Sequence, residues 1–374
     1  MIRLSKSCLG DSEKEAVMDV LDHEFLGMGE DVQRFEKALT EFFERPAICV
    51  VNGTAALHLA LQACGIGTGD EVLVQSITYV ASFQAISATG ARPIPCDMMP
   101  DSLTISLWDA KQRLTPRTKA IMPVHYSGGV GPLEEIYDFA QEHGLRVIED
   151  AAHAFGSSYQ GKRIGSFGDV ACFSFDGIKN ITSGEGGCVV TEDEVVINRI
   201  KDARLLGVEK DSDQRYTGKR SWAFDVTTQG WRYHMSNIMA AIGLVQLNRF
   251  AEIKEKRQQL ALHYTRCLSD TSNVSFLKHN YSEVVPHIFP ILISDLNDRD
   301  GLQKAMAQAG IQTGYHYQPN HWLTFYKIEQ QLPLSQTEAY FTKLLTLPLH
   351  EDLSIAEVEY VCSTLKSVAG GYCA

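Results

Sequence analysis

The sequence predicts an α/β protein with a mostly parallel central sheet covered by helices on both faces, followed by a smaller α+β domain. Between about residues 47 and 150, short and almost continuously apolar runs alternate with helical patterns, as in parallel sheets that are buried on both faces. Beyond about residue 255, strands and helices follow one another without this regularity. We therefore expect a large domain over residues 1–250 and a small C-terminal domain over residues 251–374.

The predicted elements of the large domain follow one another in a regular order. Apolar runs predict strands over residues 47–51, 71–74, 92–97, 120–124 and 146–150. Helical patterns lie between them, over residues 54–63, 82–88 and 132–142. In sheets of this kind, ligands gather at the carboxyl ends of the strands. His125 and Asp150 lie at such ends, so we expect the functional site at this edge.

Residues 168–192 interrupt the alternation. Two apolar runs, 170–175 and 187–191, predict strands with almost no helix between them. The loop that connects them, 176–186, contains Lys179. A lysine in this loop is therefore held between two buried strands.

The C-terminal part of the chain predicts a second, smaller unit. A long helical pattern runs through Gln246, Phe250 and Arg257 and leads into it. An apolar run then predicts a strand over residues 288–293, and further patterns predict helices over 299–309 and 355–365. No internal repeat or low-complexity tract interrupts the chain, which indicates a compact fold.

The overall charge argues against one class of partner. Forty-six acidic and 34 basic side chains among 374 residues give a formal net charge of -12. A surface of this sign repels nucleic-acid phosphates, and no run rich in lysine and arginine offsets it. We expect no nucleic-acid partner, although a locally positive pocket can still hold a small anionic substrate.

The cysteines and the N-terminus point to one compartment. Nine cysteines are scattered along the chain without a C-x-x-C pair, a pattern typical of reduced thiols in a cytosolic protein. The N-terminus lacks the apolar segment of a signal peptide, and no run approaches the ~18 apolar residues of a membrane helix. Several histidines lack the spacing of metal ligands, namely His58, His316, His321 and His350. We expect a cytoplasmic protein with no membrane partner and no metal.

Two segments in the first half of the chain carry candidate functional residues. Asn-Gly-Thr-Ala-Ala at 52–56 joins a strand to a helix. Such a turn exposes backbone N–H groups that can seat a phosphate; a plain turn with Thr54 as the helix N-cap is the alternative. Glu-Asp-Ala-Ala-His at 149–153 places a carboxylate at a strand end, where it can be a metal ligand, a general base, a partner for a heterocyclic nitrogen, or an ordinary cap.

Two further segments with candidate functional residues lie later in the chain. Lys179 lies between an aromatic strand and the Gly-rich turn at 184–187, which is unusual for a solvated surface charge. Lysine amines form Schiff bases with carbonyls where the site lowers their pKa, and an ordinary surface lysine in a loop is the alternative. The run at 231–236 is aromatic and basic and precedes a long helix.

The order of these motifs closely resembles one enzyme family. The chain has Asn-Gly-Thr-Ala-Ala-Leu-His-Leu-Ala-Leu from 52, Glu-Asp-Ala-Ala-His from 149, Phe-Ser-Phe-x-x-x-Lys-Asn from 173, and Gly-Glu-Gly-Gly from 184. This order resembles the sugar-nucleotide aminotransferases of the DegT/DnrJ/EryC1/StrS family, and matches at 123–126, 161–169, 316–321 and 347–350 extend it nearly end to end. The resemblance implies a pyridoxal 5'-phosphate (PLP) enzyme with the fold-type I architecture of aspartate aminotransferase. It also implies a homodimer with active sites at the subunit interface.

The resemblance assigns roles position by position. Lys179 matches the catalytic lysine that holds the cofactor, and Asp150 matches the carboxylate that pairs with the protonated pyridine nitrogen. The other cofactor contacts that it implies are the turn at Gly53 with the backbone of Thr54 and Ala55, the hydroxyl of Ser174, the stacking ring of Tyr79, and His153 near the ring 3-hydroxyl. The candidates for substrate contact are Glu185, His316 and His321.

The sequence departs from the family pattern in the segment that reaches the phosphate of the partner subunit. The family usually has Asn where this chain has Arg232, and Arg where it has His234. Arg232 offers a charge-assisted donor to a phosphate, and whether it enters the neighbouring site is open. Gln84 stands where Asn is common.

The implied reaction has two halves. L-glutamate gives its amino group to the cofactor and leaves as 2-oxoglutarate, and a nucleotide-linked keto sugar then accepts the amino group. The turn Thr-Ser-Gly-Glu-Gly-Gly at 182–187 resembles that of family enzymes acting at sugar C4, whereas those acting at C3 tend to have a Gly-Ala-Leu-Gly-Asp type of turn. We expect a 4-keto-6-deoxy hexose, destined for an amino sugar of an O-antigen or another glycan; UDP, dTDP and GDP all stay open as the nucleotide.

Several alternatives remain. An aminotransferase acting at C3, or on a cyclitol without a nucleotide, shares the motifs. A PLP-dependent dehydratase is disfavoured because relatives with that activity replace the lysine by histidine, whereas this chain has Lys179. A non-catalytic PLP-binding sensor is an alternative of another class, and the absence of a segment resembling a DNA-binding module disfavours it.

Overall fold

The computed structural model describes residues 1–220, 222–327 and 332–373. Within these ranges the α-helices are α1 (Asp11–Asp22), α2 (Glu30–Phe43), α3 (Gly53–Ala63), α4 (Val80–Ala88), α5 (Leu107–Gln112), α6 (Leu133–His143), α7 (Glu194–Ala203), α8 (Asp211–Tyr216), α9 (Asn237–Asn248), α10 (Phe250–Leu268), α11 (Arg299–Gln308), α12 (Ser335–Lys343) and α13 (Ile355–Val368). The strands are β1 (Ala47–Val50), β2 (Glu71–Gln75), β3 (Arg92–Cys96), β4 (Thr118–Met122), β5 (Arg146–Asp150), β6 (Ser158–Tyr159), β7 (Lys162–Arg163), β8 (Val170–Ser174), β9 (Gly187–Val190), β10 (Val274–Phe276), β11 (Phe289–Ile293) and β12 (Leu344–Leu347).

A seven-stranded sheet forms the centre of the molecule, in the order β1-β9-β8-β5-β4-β2-β3. The pairs β8/β5, β5/β4, β4/β2 and β2/β3 are parallel, whereas β9 runs antiparallel to both of its neighbours. This mostly parallel sheet confirms the predicted fold class. The reversed strand β9 follows from the short loop that brings the chain back beside β8.

Helices cover both faces of this sheet, because alternate residues of its strands point to opposite sides. In β1, Ile48 and Val50 are buried in a core that contains residues of α3, α4 and α7. Ala47 and Cys49 of the same strand are buried in a second core, with residues of α2 and α9. The near-continuous apolar character of the strands thus reflects burial on both faces.

A three-stranded antiparallel sheet, β10-β11-β12, organises the C-terminal part. Its core includes residues of α11 and α13. Helix α10 is shared: Phe250 and Ile253 are buried with the large sheet, whereas Leu260, Tyr264 and Leu268 are buried with the small one. The predicted domain boundary after residue 250 falls at the start of this helix.

The prediction of one long helix through residues 246–257 was wrong. Helix α9 ends at Asn248 and α10 begins at Phe250, and Arg249 between them has non-helical backbone angles of φ -98° and ψ 9°. The sequence from 237 to 268 contains no proline and only one glycine, Gly243, so no local breaker marks the joint. The break lets each helix bury its own apolar face.

None of the helices in the described ranges combines the length and the apolar character that crossing a bilayer requires.

Candidate active site

A cleft of about 440 Å³ opens at the carboxyl ends of β1, β5 and β8. Nine of the residues singled out from the sequence line it: Gly53, Thr54, Tyr79, Asp150, His153, Ser174, Lys179, Glu185 and His316. Ala55, Arg232 and His321 are not among its lining residues. The fold thus brings together residues that lie up to 263 positions apart, from Gly53 to His316.

The N-terminus of α3 forms one end of the cleft. The side chain of Asn52 caps this helix by accepting a hydrogen bond from the Ala55 N–H at 2.8 Å, so the interpretation of Thr54 as the cap was wrong. The N–H groups of Gly53 and Thr54 have no acceptor within the helix, as in any first turn. Ala55 would have to share its N–H between Asn52 and a ligand. Free N–H groups at the positive end of a helix favour a phosphate.

Gly53 is required by a close approach of two segments. A Cβ atom at this position would lie 2.7 Å from the Cβ of Ser174 at the end of β8. Only glycine therefore lets the turn and the Ser174 hydroxyl lie side by side.

We expect Gly53→Ala to lower the free energy of unfolding by about 1–3 kcal/mol, because the added methyl group overpacks this contact. The affinity for PLP should fall as well, since the turn must move away from Ser174. Urea unfolding of the apoprotein and a fluorescence titration with PLP measure the two effects. Gly27→Ala is the control, because a Cβ there meets no atom within 4 Å; equal behaviour of the two variants would contradict the prediction.

Asp150 is a buried carboxylate, 5% exposed, at the end of β5. Ser82 donates a hydrogen bond to its Oδ2 at 2.7 Å, and the Ala152 N–H donates to its Oδ1 at 3.2 Å. Burial raises the pKa of this carboxyl, while those two donors and the charge of Lys179 oppose the rise. A buried carboxylate of this kind is stabilised by a cationic partner in the cleft.

Lys179 is partly exposed at the base of the cleft, in the loop between β8 and β9. Burial lowers the pKa of its amine to about 8, although Asp176 and Asp150 favour the charged form. Its Nζ atom lies 3.4 Å from Nε2 of His287. An appreciable fraction of this amine is therefore neutral near physiological pH, as a nucleophile or a base requires.

His153 and Tyr317 form a hydrogen-bonded pair on another side of the cleft. The Ser127 N–H donates to Nδ1 of His153 at 3.3 Å, and Nε2 lies 3.0 Å from the Tyr317 hydroxyl. Since Nδ1 accepts, Nε2 carries the proton of the neutral ring and donates to Tyr317. Burial holds the pKa of His153 well below its usual range, with a further contribution from Lys179. Tyr79 is 58% exposed, and its ring centroid lies 5.5 Å from that of Tyr317.

The substrate candidates occupy different places. Glu185 is exposed at the rim, and burial and the charge of Asp176 raise the pKa of its carboxyl. Nδ1 of His316 lies 2.9 Å from the Thr346 hydroxyl. His321 lies outside the cleft lining, with Nδ1 2.7 Å from the Ser76 hydroxyl and Nε2 3.1 Å from Glu338. Both ring nitrogens of His321 therefore already have partners within the protein. A substrate contact by His321 stays a prediction.

Arg232 also lies outside the cleft of its own chain. It is exposed and forms an isolated antiparallel bridge with Leu205. It follows a segment of exposed apolar side chains, Trp222, Phe224 and Val226.

Three residues of this site were missed from the sequence. Ser82 supports Asp150 from within α4, and nothing distinguishes it from any serine in a helix. Tyr317 belongs to the motif at 316–321, so the motif itself was a usable signal. His287 was a lone histidine before an apolar strand, and only the fold shows that it faces Lys179.

This set of groups fits PLP. A helix N-terminus with a neighbouring hydroxyl suits the phosphate, Asp150 suits the pyridine nitrogen, and Lys179 suits the carbonyl carbon. Among the described residues, no group of three or more His, Cys, Asp or Glu side chains could hold a metal ion. The fold, the helix N-terminus, Asp150 and Lys179 together define a PLP-dependent transferase of fold type I.

Comparison with known proteins narrows this class. The family model of the DegT/DnrJ/EryC1/StrS aminotransferase family matches residues 7–366. The chain belongs to this family, and it is a PLP-dependent sugar aminotransferase.

Solved structures agree with this assignment. The aminotransferase TlmJ from Streptoalloteichus hindustanus is 30% identical, with a TM-score of 0.91 over 99% of each chain. Spr1654 from Streptococcus pneumoniae, solved in a PLP form, is 29% identical, with a TM-score of 0.91 and 99% of each chain covered. PseC from Helicobacter pylori, an aminotransferase of pseudoaminic acid biosynthesis, is 27% identical, with a TM-score of 0.89 over 99% of this chain and 100% of its own.

Proposed function

We propose that the protein transfers the amino group of L-glutamate to a nucleotide-linked keto sugar, at C4 of a 4-keto-6-deoxy hexose. One observation carries the aminotransferase chemistry: the Lys179 amine and the Asp150 carboxylate line one cleft that begins at the N-terminus of α3. A nucleophilic amine and a buried anion at a phosphate-binding turn are what two-step amino transfer requires. The assignment of the donor and of the sugar rests on the family motifs.

The residues of the cleft have separate roles in the proposed reaction. When bound, PLP supplies an electron sink for the charge that develops at the carbon bearing the amino group. Asp150 holds a proton on the pyridine nitrogen, and Ser82 with the Ala152 N–H fixes the carboxylate in place. Lys179 takes the proton from the carbon of the donor and, in the second half-reaction, returns a proton to the carbon of the sugar. Its lowered pKa of about 8 leaves it able to act near neutral pH.

The sequence of the turn at 182–187 supports action at C4, because it resembles the turn of family enzymes that act at this carbon. Thr182 and Ser183 are buried, and the Thr182 hydroxyl accepts a hydrogen bond from the Gly184 N–H at 2.9 Å. This fixed turn places Glu185 at the rim of the cleft, where its carboxylate can accept hydrogen bonds from sugar hydroxyls. The relative PseC acts in pseudoaminic acid biosynthesis, which supports a role in making an amino sugar for a bacterial glycan such as an O-antigen.

Absorbance spectroscopy between about 300 and 450 nm tests the proposal. We expect the PLP-loaded protein to shift to the shorter-wavelength pyridoxamine form with L-glutamate, and a 4-keto-6-deoxy sugar nucleotide to restore the first spectrum. Proton NMR of the product then shows whether nitrogen is on C4 or on C3. A response to a free cyclitol ketone but to no sugar nucleotide would contradict the proposal that the substrate carries a nucleotide. A protein that binds PLP but never responds to any amino donor would support the sensor alternative.

We further propose that two chains share each site and that the enzyme works in the cytoplasm. The exposed position of Arg232 outside its own cleft suits a contact with the phosphate in a partner subunit. All nine cysteines lie in the described ranges as free thiols, which suits a reducing compartment.

Mixed dimers test this arrangement. Lys179→Ala and Arg232→Ala homodimers should each have low activity, whereas mixing and refolding the two should restore part of it, since one hybrid site then has both residues. Lys219→Ala is the control, because Lys219 is also an exposed basic residue, and its homodimer should keep the activity of the wild type. No recovery in the hybrids, or a monomer by light scattering, would contradict a shared site.

A further inference from the structure

His287 is a buried histidine beside the reacting amine. It is 3% exposed, and its Nε2 lies 3.4 Å from Nζ of Lys179. Its other ring nitrogen, Nδ1, is buried without a hydrogen-bond partner in the described part of the chain. A buried nitrogen without a partner lowers the stability of the folded state, so the position of this ring costs the protein one hydrogen bond.

The backbone around His287 is tied to the lysine loop. Asn180, next to Lys179, donates from Nδ2 to the carbonyl oxygen of Val285 at 3.2 Å. Arg257 donates to the carbonyl oxygen of His287 at 3.3 Å, and the His287 N–H donates to the carbonyl oxygen of Ser127 at 3.3 Å. These bonds hold the backbone of the His287 segment in place beside the loop that carries Lys179.

The charge state of the ring follows from its surroundings. Burial holds the pKa of His287 well below its usual range, and the charges of Lys179, His153 and Arg257 act in the same direction. The ring is therefore neutral at physiological pH. A lysine ammonium only donates, so opposite the charged form of Lys179 the unprotonated nitrogen is Nε2, and Nδ1 carries the proton of the neutral ring.

We propose that His287 is a positioning residue for Lys179: its Nε2 accepts a hydrogen bond from the amine and orients it toward the carbon from which the proton is removed. This inference rests on the proposed function, because the orientation matters only while Lys179 is free from the cofactor and acts as the base. A free amine rotates about its last carbon–nitrogen bond, and an acceptor on one side fixes that rotation. Proton transfer is fast only when the lone pair faces the carbon.

Three substitutions separate hydrogen bonding from packing. In His287→Gln, the side-chain oxygen can take the place of Nε2 as acceptor. In His287→Asn the shorter amide does not reach the amine, and His287→Phe keeps a ring of similar size without an acceptor. His279→Gln is the matched control, because His279 belongs to the same segment, and burial likewise lowers its pKa, to about 4.

The first readout is the single-turnover reaction of the PLP-loaded variants with glutamate. We expect His287→Phe and His287→Asn to react about 10–100-fold more slowly, as for a misplaced catalytic group, with an unchanged dissociation constant for glutamate. Glutamate deuterated at the α-carbon should show a larger isotope effect in these two variants, because proton transfer becomes more limiting. His287→Gln and His279→Gln should stay close to wild type.

The second readout needs neither cofactor nor substrate. Competitive acetylation of the apoprotein, followed by mass spectrometry, gives the pKa of the Lys179 amine. An acceptor stabilises the ammonium form, so its loss in His287→Phe should lower this pKa by about one pH unit, and His287→Gln should restore it. The other charged or titratable groups around the amine are unchanged in all variants: Asp150, Asp176, His153, His316 and Arg257.

The two readouts distinguish failure of the proposed function from failure of the inference about His287. If wild type does not react with glutamate, the proposed function fails, and the acetylation result still shows whether His287 holds the amine. If His287→Phe keeps both the wild-type isotope effect and the wild-type lysine pKa, the inference is wrong. It is also wrong if His287→Gln loses as much as His287→Phe while both variants melt like the wild type.

Discussion

Lys179→Ala is expected to slow the reaction with glutamate by about 10³-fold or more, because it removes the residue that we propose as both the attachment point of the cofactor and the base. The cofactor should still bind through the turn at Gly53, the Ser174 hydroxyl and Asp150, which the substitution leaves intact. Rapid mixing of PLP-loaded protein with glutamate, followed by absorbance, measures the rate. Lys119→Ala is the control, since Lys119 is exposed on β4. A rate within tenfold of wild type would remove Lys179 from the mechanism.

Although Lys179→Ala is expected to abolish most of the activity, it should not lower the stability of the folded protein. The pKa of Lys179 falls to about 8 in the folded protein from 10.5, so the folded state disfavours the ammonium form. This cost is fully present below pH 8 and disappears as the pH rises toward 10.5. At neutral pH, Lys179→Ala should therefore melt at the same temperature as wild-type apoprotein or higher. A variant that is inactive and yet no less stable separates a functional lysine from a structural one.

Asp150→Asn is expected to lower kcat by about 10²–10³-fold, because the amide keeps the shape of the carboxylate but not its charge. In the proposed mechanism, the pyridine nitrogen then lacks the anion that would keep it protonated. Ser82→Ala is the comparison, since it leaves the carboxylate and removes only one of its supports; we expect a much smaller loss. The rates of both half-reactions measure the effect, and a loss below threefold in Asp150→Asn would contradict the assigned role.

The stability of this variant again distinguishes function from structure. Burial raises the pKa of Asp150 above its usual value, so the ionised carboxylate destabilises the folded apoprotein at pH values above that pKa. Replacing it by a neutral amide should leave the melting temperature of the apoprotein unchanged or raised at pH 7. In the PLP-loaded protein the order should reverse, because the cofactor supplies the missing positive partner.

The sequence anticipated those parts of the fold that depend on local pattern. Strands β1, β5 and β8 are buried on both faces and therefore stand out as apolar runs. The ends of elements were less accurate: β4 stops at Met122 rather than at residue 124, because Pro123 has no N–H with which to continue the ladder. The joint at Arg249 had no local signal, since it is set by the packing of two helices against different neighbours.

The residues of the candidate site likewise divide into those with a local sequence signal and those that only the assembled fold reveals. Lys179 and Asp150 were recognisable because each belongs to a compact motif. Their supports were not, since His287 is 108 positions away from Lys179, and Ser82 is 68 positions away from Asp150. Neither separation leaves a periodic or compositional trace. Contacts of this kind appear only when the strands and helices are assembled.

The helix shared by the two hydrophobic cores limits how this scaffold can be recombined. Because Phe250 and Ile253 belong to one core and Leu260 to the other, a chimera with the C-terminal part of a relative has no clean junction inside α10. The loose point is Arg249, where the backbone already leaves the helical conformation. Grafting of a C-terminal part should therefore be tolerated best when the crossover lies at Arg249 and the grafted α10 keeps Phe250 and Ile253, which pack in the core of the large sheet.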